Sequence, residues 1–426
     1  MKSEQINKET DIPNEITSTE IADSLNGTDD ISSSSEKESI QSFFSIKSNS
    51  SFIAIINICA SAFGSGCLTF PHFVDSIGIF NSFLVYIFIS VCLYYSFDFL
   101  RGFVVDTKYN SFSMITEKVL GKNWLIVFAV SSSIYYLSGI INHMNVCYSI
   151  FRMLLINEES YKKYYYGMLY LLITYGIEIF LCLYTRYTQS VYLISFVSVI
   201  AFSFFIALII IGGINGLTSE KFESKKFFRP FGDKNITDIV FEFIIAALMY
   251  IYGFSYHSTF PTFLGNVNKT GKSSKKINNI SFGVICLSYI IISFFGYLYK
   301  KAVPGQLFLD RMNEENNFIN IFLGVFAFIY LFSLIPHRYI TVRDGYKHLI
   351  GNKKFNDKID LIFVITCLFI ANCIIFLDQE ITRGENDNYN IFSFCSNIFG
   401  GLLGVLIAFL LPIINYVTID EITEMK

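Results

Sequence analysis

Ten long apolar stretches, separated by short polar segments, set the pattern of the chain: 52–78, 79–102, 124–151, 164–184, 190–214, 236–265, 278–301, 316–338, 357–377 and 391–417. A helix needs ~20 apolar residues to cross ~30 Å of hydrocarbon. Each stretch reaches that length, and buried core helices do not recur at it. The pattern predicts an all-α polytopic membrane protein of about ten transmembrane helices.

The spans repeat. Spans 1 and 6, 2 and 7, 3 and 8, 4 and 9, and 5 and 10 begin about 185–200 residues apart. Because five is odd, the second set enters the membrane from the opposite side, which is an inverted repeat of the kind found in secondary transporters. The division is 51–214 for repeat one and 236–417 for repeat two.

Two spans are interrupted at matching places. Span 1 reads NICASAFGSGCLTFPHF, with Gly64, Ser65 and Gly66 in its middle and Pro71 beyond. Span 6 reads MYIYGFSYHSTFPTFLG, with Gly253 and then Pro261. Glycine weakens a helix, and proline deprives the carbonyl four residues earlier of its donor. Backbone freed inside a membrane is tolerated only against protein or a water-filled cavity. The half-helix starting near Gly64 would turn N–H groups and a positive dipole end toward a carboxylate. Carbonyls at the span 6 break would accept from an ammonium group, so a zwitterionic amino acid suits both. The candidate binding residues are Ala62, Gly64, Ser65 and Gly66 with Tyr252, Gly253, Phe254 and Ser255. The competing explanation is close helix packing through small residues; two breaks in register favour the site.

Ionisable residues inside spans are costly and are functional candidates. Glu178 is the deepest acid, in span 4. His143 sits in the polar run INHMN of span 3, and His257 follows the span 6 break. These are the candidate proton carriers, with packing histidines as the plain alternative. Ser333 offers a hydroxyl for a cation site against span 1. Asp98 and Arg101 have ion-pair spacing and read as structural.

Composition adds limits. The chain of 426 residues is 53% hydrophobic and 16% charged, and its net charge of −3 with no basic patch argues against nucleic acid. The nine cysteines lie mostly within apolar runs and form no CxxC pair, so neither a metal nor a disulfide framework is expected; no cofactor is expected either. Residues 1–50 are rich in Ser, Glu, Asp and Asn and read as a disordered cytoplasmic tail open to phosphorylation, while 418–426 read as a short C-terminal tail. No cleavable leader pattern opens the chain, so the first span itself is expected to direct insertion. Lysines after span 6 (Lys269, Lys272, Lys275 and Lys276) and basic residues after span 8 (Arg338, Arg343, Lys347, Lys353, Lys354 and Lys358) place even-numbered spans' ends, and both termini, in the cytoplasm. The segment 215–235, with Lys221, Lys225, Lys226, Arg229 and Lys234, runs against that rule.

These residues resemble the amino acid/auxin permease family, within the amino acid-polyamine-organocation superfamily. Its helix 1 signature appears as Asn57, Gly64, Ser65, Gly66, Leu68 and Pro71. Its helix 6 motif appears as Phe254, Ser255, Tyr256, His257 and then Pro261. Phe295-Gly296-Tyr297 matches helix 7, Pro336 and Arg338 match helix 8, and Leu411, Pro412 and Tyr416 match helix 10. The resemblance covers about 52–417 and implies a LeuT-type 5+5 core that moves amino acids, neutral or broad-range, by alternating access at a plasma or lysosome/vacuole-like membrane. The sodium-coupled branch has an asparagine where this chain has Ala60, so the resemblance implies proton-coupled or facilitative transport. The expected partners are an amino acid, H+ and membrane lipids. Other functional classes remain open on the residues: a membrane-embedded acyltransferase using Asn142 and His143, and an amino-acid sensor on the same fold.

Overall fold

In lipid every backbone polar group must find its partner within the protein, which leaves helices as the economical solution. The computed structural model is helical throughout its described part, which comprises residues 50–107, 109–155, 163–185, 188–218, 236–254, 256–265, 267, 270–299, 318–351, 355–381 and 395–424. In chain order the helices are α1 (Ser51–Ala62), α2 (Phe70–Ile77), α3 (Ile79–Thr107), α4 (Phe112–Leu120), α5 (Lys122–Leu155), α6 (Lys163–Tyr184) and α7 (Thr188–Thr218). They continue with α8 (Ile236–Gly253), α9 (Phe260–Gly265), α10 (Gly271–Tyr299), α11 (Phe318–Ile350), α12 (Asp357–Ile381) and α13 (Leu411–Glu424). Among the described residues eight helices are long and apolar enough to cross a membrane, and the bent pair around residue 63 makes nine. The expected span 6 is present as α8 and α9, two shorter pieces.

Several boundaries differ from those expected. Span 7 begins at Gly271, so its helix includes Lys272, Lys275 and Lys276. Span 8 does not stop at 338 but runs to Ile350. Hydropathy ends a span at its first charges, whereas a helix continues wherever its polar side chains find water or protein. One consequence is a correction: Arg338, counted above with a cytoplasmic loop, is buried in mid-helix. Residues 1–49, and with them the expected tail, lie outside the described residues. Ser50 caps α1, its Oγ accepting from the Phe52 N–H.

The short helix α4 was not expected. Ser111 accepts from the Met114 N–H at its start, and Gly121 ends it at φ 89°, a left-handed conformation that glycine adopts freely. Spans 5 and 7 meet where Gly212, Gly213 and Gly216 admit Tyr299, Phe295 and Leu298; a Cβ at Gly213 would lie 2.7 Å from the Phe295 carbonyl oxygen. The last span is irregular, with π-helical stretches Cys395–Leu402 and Leu406–Leu410 before α13. Pro412 cannot donate to the Ala408 carbonyl, and the Ser96 hydroxyl of α3 donates to it instead.

The core is aromatic. Phe63, Phe70, Phe97, Tyr135, Tyr250, Tyr252, Tyr289 and Tyr330 are buried where the first, second, third, sixth, seventh and eighth spans converge. The opposite face of α3 shows the lipid-side pattern: Phe80, Leu84, Ile87, Phe88, Val91 and Tyr95 are exposed at helical spacing.

Candidate functional site at the interrupted first span

The chain leaves α1 at Phe63 (ψ 95°) and Gly64 (φ −123°, ψ 176°), both extended, and re-forms as a 3-10 turn over Ser65–Thr69 before α2. The two halves of the span differ in direction by 51°. The first N–H groups of a helical segment lack intrahelical partners; here they belong to Ser65 and Gly66. The Ser65 hydroxyl is buried and unpartnered. Thr69 and Cys67 turn their side chains back to the carbonyls of Gly66 and Gly64, which steadies the turn.

Span 6 is interrupted after Gly253. Tyr256 N–H bonds to the Phe254 carbonyl at 2.8 Å, a tight local turn, and Phe260 N–H returns to the Tyr256 carbonyl at 3.0 Å. Ser255 lies outside the described residues. One hydroxyl bridges the two interruptions: Tyr289 Oη of α10 lies 2.6 Å from the Ala62 carbonyl oxygen and 2.8 Å from that of Gly253. The Tyr252 carbonyl accepts from Tyr135 at 3.2 Å. The span 6 carbonyls expected to meet an ammonium group are thus already partnered, although each oxygen has a second lone pair.

The glycines do different jobs. A Cβ on Gly66 would lie 2.8 Å from the Tyr252 ring and 3.3 Å from the Gly253 Cα, so Gly66 lets spans 1 and 6 cross closely. Gly253 makes room in the same way for Phe70. Packing through small residues therefore accounts for these two. Gly64 faces something else. A Cβ there would lie 2.7 Å from Arg338 Nη2 and 3.6 Å from His143 Nε2.

Around that point the elements converge. From α5, Gly139 leaves space for the Arg338 stem, Tyr136 sits under its guanidinium at 5.5 Å, and Asn142 Nδ2 donates to the Tyr252 hydroxyl at 3.1 Å. His143 Nδ1 lies 2.5 Å from the Gly139 carbonyl. A carbonyl only accepts, so Nδ1 carries the proton and Nε2 is left with a lone pair, buried and unpartnered. Tyr252 is wedged between Gly66 and Gly400 of the last span.

Not every expected residue joins this group. Phe254 is buried against Tyr86, Phe282 and Tyr289 in the aromatic core. His257 stacks on Phe97 at 3.8 Å, with both ring nitrogens buried and unpartnered. Ser333 donates to the Tyr330 carbonyl at 2.8 Å within its own helix. Glu178 is buried beside Asn372, with Cys147, Cys182, Tyr170 and Tyr175 around it, none of which touches the break. Sequence reasoning missed Arg338 as a site residue because it stood at the apparent end of a span. It missed Tyr289 because a tyrosine in an apolar run carries no signal of its own. Among the described residues no group of His, Cys, Asp and Glu is disposed to hold a metal ion.

A family model described as transmembrane amino acid transporter protein matches residues 47–424, nearly the whole of the chain beyond its N-terminal tract.

Proposed function

Since the chain belongs to the transmembrane amino acid transporter family, we propose that it is a secondary transporter that moves neutral or broad-range amino acids by alternating access. It is a multi-pass membrane protein of a non-enzymatic family, which leaves Asn142 and His143 to binding rather than acyl transfer. The observation that carries the proposal is the extended break at Phe63–Gly64, buried in the bundle and faced by Arg338 of α11 and His143 of α5. Irregular backbone at that depth is tolerated only against protein or a water-filled cavity, and matched interruptions of this kind are where secondary transporters hold their solute.

The matched interruptions of spans 1 and 6 support a LeuT-type 5+5 inverted repeat, with 51–214 and 236–417 as its halves. In this reading Ala62, Gly64, Ser65, Gly66, Tyr252, Gly253, Phe254 and Ser255 line or shape the substrate site. Rocking of one helix set against the other would expose it to each side in turn. Tyr289, shared between both breaks, holds them together in one of the two arrangements. His143 and His257 are the candidates for proton coupling. Each is fully buried and keeps an unpartnered ring nitrogen. Glu178, surrounded by Asn372, Cys147 and Tyr170, would act through the bundle, and Ser333 remains the candidate hydroxyl for a cation beside the first span. Residence in a plasma or lysosome/vacuole-like membrane fits this role.

The test is uptake of the twenty common amino acids into proteoliposomes holding the purified protein, with sodium and proton gradients imposed separately. Saturable uptake of any of them supports the proposal. Tight binding without uptake in either gradient would instead favour the sensor reading.

A further inference from the structure

We propose that Arg338 is the residue that binds the substrate's carboxylate, and that the site therefore takes amino acids of zero or negative net charge and rejects cationic ones and amines. The inference rests on the transporter reading above and adds its substrate class. Arg338 lies in the middle of α11 and is only 4% exposed. A guanidinium has five N–H donors and keeps its charge, so its burial without an acceptor is costly. Among the described residues no carboxylate pairs with it, and its guanidinium lies over the Tyr136 ring. Tyr135, Tyr252 and Tyr289 complete its electrostatic surroundings. Among the described residues, a buried cation so placed lacks an anion.

The geometry points to the break as the place where that anion would dock. The guanidinium and His143 Nε2 converge on one point, 2.7 and 3.6 Å from the place a Gly64 Cβ would fill. The absent side chain leaves the two groups facing the break. A carboxylate matches the guanidinium fork with two parallel hydrogen bonds. The His143 Nε2 lone pair, fixed by the Gly139 carbonyl on the other nitrogen, accepts from an N–H and suits the neighbouring ammonium. An α-amino acid carries both groups on one carbon. Charge then decides selectivity. A zwitterion neutralises Arg338 locally and brings no surplus. A lysine or arginine substrate adds a second positive charge, and no described carboxylate faces the break to receive it.

The experiment uses the full chain in proteoliposomes and the neutral L-amino acid taken up fastest in the uptake panel. Its uptake is competed with the unlabelled acid, its primary amide, its decarboxylated amine and L-lysine. The expected result is that the wild-type protein prefers the acid over the amide by about a hundredfold or more, as a site built to bond a missing group does. The Arg338→Gln protein should lose most of that preference, and Arg338→Lys, which keeps charge without the fork, should fall between. Should Arg338→Gln fail to fold, Gly64→Ala serves: its φ of −123° accepts alanine, and the new methyl displaces the guanidinium. It should reduce the preference at least tenfold. An unchanged acid-to-amide preference in these variants, or wild-type uptake of L-lysine equal to that of the neutral substrate, overturns the inference and leaves the transporter reading intact. Absence of any amino-acid uptake by the wild-type protein overturns that reading itself.

Discussion

Tyr289→Phe removes one oxygen atom and tests how the two interruptions are held. The ring itself would remain, packed against Phe63, Phe70 and Phe254. The hydroxyl has a single hydrogen and faces two carbonyls, those of Ala62 and Gly253. One full hydrogen bond is lost, and at least one buried carbonyl is left without a donor. A net hydrogen bond contributes about 0.5–1.5 kcal/mol, and an acceptor left buried and unsatisfied costs about 1–3 kcal/mol. The loss expected is therefore about 1–3 kcal/mol of stability. Because the two carbonyls belong to different spans, the same energy biases the arrangement in which the breaks lie together. A shift of ~1.4 kcal/mol changes that population about tenfold. Thermal unfolding of the purified variant in detergent measures the first effect, and substrate affinity measures the second. If Tyr289→Phe unfolds and binds like the wild type, within about 0.5 kcal/mol, the hydroxyl does not hold the breaks.

Three further outcomes are expected. Gly66→Val should abolish solute binding while leaving insertion intact, because its Cβ meets the Tyr252 ring at 2.8 Å and the Gly253 backbone at 3.3 Å, which cannot yield; normal transport by the purified variant would show that this crossing is not part of the site. Uptake should persist when choline replaces sodium at fixed pH and voltage, since Ala60 offers no amide oxygen where a cation ligand would be needed; a drop to background restored saturably by sodium contradicts this. A tag inserted near Lys225 should be labelled from outside on surface-resident protein, and labelling that needs permeabilisation would reverse the assigned orientation.

The existence of the spans was legible because their signal is thermodynamic and local: a run of ~20 apolar residues has few other fates. Their ends were not, because a helix end is decided by neighbours. Arg338 shows this most clearly. In a hydropathy window it is the first charge after an apolar run, and so an end. In the fold it is buried in the middle of α11, with α5 supplying Gly139 and Tyr136 to receive it. The short helix α4 had readable signals in Ser111 and Gly121, but its nine residues are too few to stand out as an apolar run.

The site was legible in part for a related reason. Glycines and prolines at matched offsets announced where backbone regularity fails, and the chain does leave α-helix at Phe63–Gly64 and after Gly253. A glycine in sequence, however, says only that something comes close. At Gly66 it is an aromatic ring, at Gly253 the ring of Phe70, and at Gly64 a guanidinium with an imidazole behind it. The first two are contacts between helices and would be needed by any tightly packed bundle. The third sets a buried cation, with no carboxylate partner among the described residues, against a break in the backbone. Packing gives no reason to bury a charge without a partner, because an apolar side chain in that place would be less costly. In the proposed reading, the difference between Gly64 and its neighbours is therefore the difference between a residue that is small so that the protein can close and one that is small so that a solute can enter.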